Sequence, residues 1–295
     1  MNHVPVLLNE VIQYLAPQPN EDGVDATING GGHAEAILEQ IGPGGRLLGI
    51  DRDPSILDET KSRLSRFGDR AIVACGNFSN IRLIAKDHGV LHPSVILFDL
   101  GASSYHLASA KRGFSFAEDE PLDMRYNPED STCSAEALVN HAALEELERI
   151  FKTYGEERQA RRIAELITSE RKHRRIETAK DLAALIARNV PRGRLHPATR
   201  IFQALRIAVN DELTHADRGI REAYGLLADG GRLAVISFHS LEDRIVKKFF
   251  KSLSDAAVVL TPKPVSANRQ EKMSNPRSRS AKLRVVKKIK DIVLL

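Results

Sequence analysis

The residues best suited to chemistry in this chain are a cluster of glycines and two acids that follow it. The stretch Gly23-Val-Asp25-Ala-Thr27-Ile-Asn29-Gly30-Gly31-Gly32-His33 ends a short β-branched run in a turn, and Arg46-Leu-Leu-Gly-Ile50-Asp51 ends an apolar run in an acid. In an open parallel sheet, ligands bind outside the carboxyl ends of the strands, and an acid about 20 residues beyond a glycine turn can accept hydrogen bonds from a ribose. Asp51 has that position. A second acid, Asp99, closes Val95-Ile-Leu-Phe98 and opens Asp99-Leu-Gly-Ala-Ser-Ser104. The chemistry this suggests is the binding of a nucleotide-like ligand, with a carboxylate at its reactive end.

The dinucleotide spacing G-x-G-x-x-G is absent, because three glycines are contiguous and Asn29 stands where the first spaced glycine would be. Asn tolerates positive φ, so a left-handed turn survives there. A ligand without a pyrophosphate needs less bare backbone, which favours S-adenosylmethionine over NAD. A glycine turn that only reverses the chain would read the same way.

The elements that must position these residues follow from periodicity. Strands at 23–25, 46–51 and 71–75 alternate with helical patterns at 34–41 and 54–67, a helix around Ile81 and Ile84 precedes the strand at 95–98, and this reads as an α/β parallel sheet. Phe78, after the third strand, lies where an adenine would pack, and reads equally as a core aromatic. Beyond Asp99 the pattern changes. A long loop holding Arg112-Gly-Phe114-Ser-Phe116 and Pro121–Pro128 leads to three helical patterns, marked by Leu144, Leu147 and Phe151, by Ile163, Leu166 and Ile167, and by Leu182, Leu185 and Ile186 after a cap at Thr178. The expected domains are 1–106, a helical insertion over 107–195, and 196–295. Phe202 to Leu227 steps by three and four as one long helix packed on the sheet. Strand 232–238 leads into His239-Ser240, where Ser240 and Asp243 form a capping pair, and strands at 257–260 and 283–286 follow.

At 295 residues with 42% hydrophobic and 28% charged residues, the composition is that of a soluble globular protein. The net charge of +4 mildly favours a polyanionic partner. From Pro262 onward ten Lys and Arg face two acids, and Arg158, Arg161 and Arg162 form a stripe followed by Arg171, Lys172, Arg174 and Arg175. The basic tail reads as contact with an RNA backbone or as disorder, and the stripe as a phosphate track or as a solvated face. Cys75 and Cys133 have neither zinc-site nor disulfide spacing and read as buried reduced thiols, so no metal is expected. No run of about 18 apolar residues and no signal peptide appear, which points to a cytoplasmic protein with no membrane partner.

Blocks along the whole chain, Asp99–Ser104, Arg112–Phe116, Pro121–Arg125, Tyr154–Glu157, His196–Arg206, Ile236–Arg244 and Asn275–Ser280, in this order resemble the cytosine-N4 methyltransferase family of small-subunit (16S) ribosomal RNA, the RsmH or MraW type. The resemblance implies a class I, Rossmann-like S-adenosylmethionine-dependent methyltransferase sheet with an inserted all-helical substrate domain, acting on a cytidine of the decoding centre. Carried over by position, donor contacts fall on Gly31, Gly32, His33, Asp51, Phe78, Asp99 and His106. The family usually has Gly where this chain has Ala26 and Asn29, and Gln where it has His106.

Cytosine N4 is a poor nucleophile because its lone pair is delocalised into the ring, so its protons must be held by acceptors beside the methyl. Asp99 is the candidate catalytic residue, orienting the amine or contacting only the donor's amino group. Candidates for the RNA side are Ser103 in the Asp99 block, Tyr105, Phe114 or Phe116 stacking a flipped base, His239 and Ser240 beside the pocket, and Arg244, Arg277, Arg279 and Lys282 at phosphates. The oligomeric state stays open, a homodimer included. Competing readings are a related methyltransferase with another acceptor, a non-enzymatic RNA-binding assembly factor with a weakened donor site, and, weakest, an NAD dehydrogenase.

Overall fold

A computed structural model describes residues 4–101, 105–106, 110–129, 132–193 and 195–290. The chain divides into two compact units, one of Met1–Gly101 with Leu213–Leu295 and one of Ala102–Glu212.

The first unit is built on a seven-stranded sheet. Its strands are β1 (Gly23–Asp25), β2 (Leu47–Asp51), β3 (Ala71–Cys75), β4 (Val95–Asp99), β5 (Arg232–Ser237), β6 (Ala257–Val259) and β7 (Lys282–Lys288), in the order β3-β2-β1-β4-β5-β7-β6. β1 to β5 are parallel, whereas β7 runs antiparallel between β5 and β6. The tail that reads as disordered or RNA-bound therefore supplies a strand that two neighbours hold. The central strands β2 and β4 are buried at every position, as near-continuous apolar runs covered on both faces require. Helices α1 (Leu8–Leu15), α2 (Gly32–Ile41), α3 (Pro54–Leu64) and α4 (Ile81–Asp87) precede the second unit in sequence.

The second unit holds α5 (Ala135–His141), α6 (Leu144–Gly155), α7 (Ala160–Glu170), α8 (Ala179–Asn189) and α9 (Thr199–Asn210). Leu147, Phe151, Ile163, Ile167, Leu182, Ile186, Ile201 and Leu205 form its core. Full burial of such a side chain is worth about 1.5–3 kcal/mol. Side-chain amides tie its loops: Asn140 bonds both the N–H and the carbonyl of Ile176, and Asn210 accepts from Tyr126 N–H while donating to the Met124 carbonyl.

The expected long helix over 202–227 is two helices. Asp211 takes a left-handed conformation, φ 48°, and separates α9 from α10 (Glu212–Leu226). Phe202 and Leu205 belong to the helical core, whereas Ala216, Ile220 and Tyr224 belong to the sheet core, so the helical unit extends past 195 and takes in α9. Periodicity missed this because one residue at positive φ ends a helix without breaking the three-four spacing. The short helices α1 and α5 were also missed. Both cysteines are exposed rather than buried, Cys75 because it ends the edge strand β3. Among the described residues no helix is long and apolar enough to cross a membrane.

Candidate active site

In the parallel register Asp25 stands level with Gly49 on one side and Leu97 on the other. Asp51 and Asp99 therefore extend two residues beyond it at the same edge, on the strands flanking β1, roughly 10 Å apart at the strand spacing of a sheet. The backbone after β1 leaves through this gap, Ala26 N–H donating to the Leu97 carbonyl and Ile28 N–H to the Ile50 carbonyl. This is the switch point of an open parallel sheet, where ligands bind.

The glycine turn is built as a cradle. Asn29 adopts φ 47° and Gly31 φ 75°, so Asn29 makes the left-handed turn anticipated for it. Its side chain donates to the Thr27 carbonyl at 2.9 Å, and Thr60 Oγ1 donates to its carbonyl. A Cβ on Gly31 would come within 3.3 Å of Thr60, and one on Gly32 within 3.1 Å of the Pro5 ring. Asp51 accepts from Asn29 N–H through Oδ2 and from Asp53 N–H through Oδ1, each at 3.0 Å. The acid that ends β2 thus fixes the turn that follows β1.

His33, in the first turn of α2, is 4% exposed. Its Nε2 lies 2.9 Å from the Val6 carbonyl and its Nδ1 4.0 Å from Asp99 Oδ2. The Asp99 main chain is fixed by donation to Thr27 Oγ1 at 2.6 Å, yet both carboxyl oxygens are buried without a hydrogen-bond partner. Burial, the largest influence, pushes the Asp99 carboxyl above its ordinary range with help from the Glu242 charge, against His33 and Arg277. Burial likewise pushes the His33 imidazole down, Arg277 adding to this and Asp99 opposing it. Asp25, 1% exposed, is raised to about 8 by burial first and by the Asp99 and Asp51 charges, against one N–H from Thr27.

Two segments far apart in sequence meet beside His33. Leu7 N–H donates to Glu271 Oε1 at 2.8 Å, and Asn275 Nδ2 donates to the Val4 carbonyl at 3.1 Å. Glu271 lies in the short helix α12 (Arg269–Ser274) and Asn275 follows it. Together they hold the segment whose Val6 carbonyl meets His33. Sequence reasoning missed Glu271 and Asn275 because no local pattern links residues 264 and 271 positions apart.

The other anticipated residues are placed unevenly. Phe78 is half-buried, edge-on to Phe98 at 5.5 Å, with Gly219 of α10 leaving room for its ring. His239, not Ser240, caps α11 (Ser240–Ser252): its side chain accepts from Glu242 N–H, and Glu242 Oε2 accepts from Phe238 and His239 N–H at 2.7 and 3.2 Å. Ser240 is the first helical residue and is exposed. Asp243 instead pairs with Arg284 at 2.7 Å and Lys282 at 3.4 Å, its carboxyl held below the usual range against burial, chiefly by its hydrogen bond to Arg284. Lys282 is therefore half of an internal ion pair. Arg277 lies over the Phe238 ring at 5.5 Å, Arg279 donates to the Lys272 carbonyl, and Arg244 is exposed.

In the helical unit, Phe114 stacks on Tyr126 at 5.4 Å and 15°, and His106 packs 4.8 Å from Tyr126 and 5.2 Å from Phe114. Phe116 stacks on His196 at 4.7 Å, and Tyr105 is half-buried beside His106. Phe114 and His106 are buried in that unit's own packing. Ser103 lies outside the described residues. Much of the arginine stripe serves the unit's own structure: Arg161 pairs with Glu148 and Glu165, Arg174 with Asp181, and Arg175 with Glu136.

A family model described as the MraW methylase family matches residues 1–289. A protein of Geobacter sulfurreducens named ribosomal RNA small subunit methyltransferase H is 46% identical, over 98% of this chain and 99% of its own length. Counterparts of the same name from Syntrophotalea carbinolica and Thermomicrobium roseum are 45% and 44% identical, each over 97% of this chain and over 98% and 94% of their own. Among solved structures, a putative rRNA methylase from Clostridium thermocellum superposes with a TM-score of 0.50 at 12% identity, over 98% of this chain and 99% of that one, which bears on the fold alone.

Proposed function

Because the chain belongs to the MraW methylase family, and so is a methyltransferase, we propose that it moves a methyl group from S-adenosylmethionine to the exocyclic N4 of a cytidine in the decoding centre of 16S rRNA. The names of the relatives support the small ribosomal subunit as substrate. The observation that carries the chemistry is the Asp99 carboxyl group, buried and without a hydrogen bond at the carboxyl end of β4 beside the glycine turn. A buried carboxylate without a partner is costly, and a cationic ligand offsets that cost.

The residues present fit the donor. Gly31 and Gly32 form the turn after β1, where a side chain would press on Thr60 or the Pro5 ring, Asp51 stands at the ribose position, and Phe78 at the position for the adenine. His33 and Asp99 lie toward the reacting end. Bound there, the donor supplies an electrophilic methyl group on a sulfonium.

On the protein side, Asp99 accepts a hydrogen bond from the N4 amine and turns its lone pair out of conjugation. His239 and Ser240 stand beside the amine, and Arg244, Arg277 and Arg279 meet the RNA backbone. The helical unit contributes RNA recognition. The test is transfer of labelled methyl to small ribosomal subunits followed by nucleoside analysis. Label on N4-methylcytidine is expected; label on another nucleoside, or on protein, rejects the acceptor.

A further inference from the structure

We propose that His33 and Asp99 form a one-proton pair that receives the proton displaced from the substrate amine, with Asp99 as the catalytic acceptor and His33 as the positioning residue behind it. The proposal rests on the methyltransferase reading above.

The Val6 carbonyl can only accept, so the His33 Nε2 beside it at 2.9 Å carries a proton. In the neutral ring Nδ1 then holds a lone pair, and it faces Asp99 Oδ2 at 4.0 Å. A lone pair facing a carboxylate leaves room for one proton between them, either on the carboxyl or on Nδ1. The tautomer is not left to chance, because Glu271 and Asn275 hold the Val4–Leu7 segment that presents the carbonyl. Contacts of this kind are often long before substrate binds and tighten in the reactive complex.

The balance is simple. The N4 lone pair forms the new N–C bond while the donor's C–S bond breaks, its electron pair staying on sulfur. The cationic nitrogen then releases one proton to the Asp99 carboxylate, which shares it with His33 Nδ1. The charged groups acting on the pair are Arg277 and Glu242 on Asp99, Arg277 and Glu271 on His33, and Asp25, which is coupled to Asp99. The pair must be proton-free to accept, so the rate rises with pH as the pair loses its proton.

The test begins on donor-free protein, with nitrogen-15 NMR of its histidines. Neutral His33 is expected as the Nε2–H tautomer, with a titration that moves by a pH unit or more in Asp99→Asn. An Nδ1–H tautomer, or a titration unmoved by Asp99→Asn, overturns the pair. His33→Gln keeps a donor for Val6 but cannot take a proton. It should lose about 10²-fold in single-turnover transfer at pH 7 with the donor saturating. It should also lose the wild-type pH dependence. A wild-type rate and pH profile in this variant overturns the role of His33. A wild-type protein that transfers no methyl to rRNA overturns the functional reading instead, a result distinct from failure of the NMR test.

Discussion

The backbone N–H of Asn29 donates to Asp51 Oδ2 at 3.0 Å, joining a left-handed residue of the glycine turn to the acid that ends the adjacent strand. One carboxylate therefore shapes the turn, and in the proposed function the same group meets the donor's ribose, so turn geometry and donor affinity should change together.

Substituting Asn29→Val places a β-branched residue at φ 47°. The left-handed region costs such a residue about 1–2 kcal/mol, and donor affinity should fall with stability. Asn29→Gly should be tolerated. Thermal unfolding and calorimetry with donor check both, and a Val variant with wild-type values in both would reject the coupling.

Asp25 makes stability depend on alkaline pH. Its folded value of about 8 lies above the ordinary carboxylate value of 3.8, so its contribution is full below about pH 4 and is lost as pH rises through 8. Between pH 7 and 9 wild type should lose about 1 kcal/mol or more, a fall of roughly 2–4 °C in midpoint. Asp25→Asn should flatten this loss. Melting curves of both proteins across this range decide the matter, and parallel curves would reject it.

Removal of Asp243 leaves Arg284, 8% exposed, without the carboxylate it pairs with. Loss of one partner of a buried pair costs about 3–5 kcal/mol at full burial, and this partly screened pair should cost about 2 kcal/mol in Asp243→Ala. The carboxyl is held low, so its contribution is present above the unfolded value and disappears as pH falls through the folded one. Urea unfolding at pH 7 and pH 3 should show the variant's deficit shrinking in acid. An equal deficit at both would exclude the ion pair as its cause.

Arg279 and Arg244 are exposed, whereas Lys282 is bonded to Asp243. In binding to small subunits, Arg279→Ala and Arg244→Ala should each lower the salt slope by about 1, and Lys282→Ala by less. Titrations at several salt concentrations measure this. Unchanged slopes for both arginines would remove them from the phosphate contacts.

The sequence by itself determined the parallel sheet, the glycine turn and the acids at its strand ends, because each is a local pattern: an alternating or continuous apolar run, a residue able to adopt positive φ, an acid at a run's end. It also determined the family, through blocks spread along the whole chain. Tertiary structure alone decided that Asp99 is buried without a hydrogen bond and that His33 faces it, since desolvation depends on what covers a group. It also decided that Glu271 and Asn275 hold the opposite terminus, and that Lys282 belongs to Asp243. The contacts of Glu271 and Asn275 join residues 264 and 271 positions apart, and the pairing of β4 with β5 crosses the whole helical unit, so neither leaves a periodic trace. For the same reason the break at Asp211 was invisible: the apolar spacing ran on unchanged while the backbone turned, and the two halves of one stripe packed into different cores.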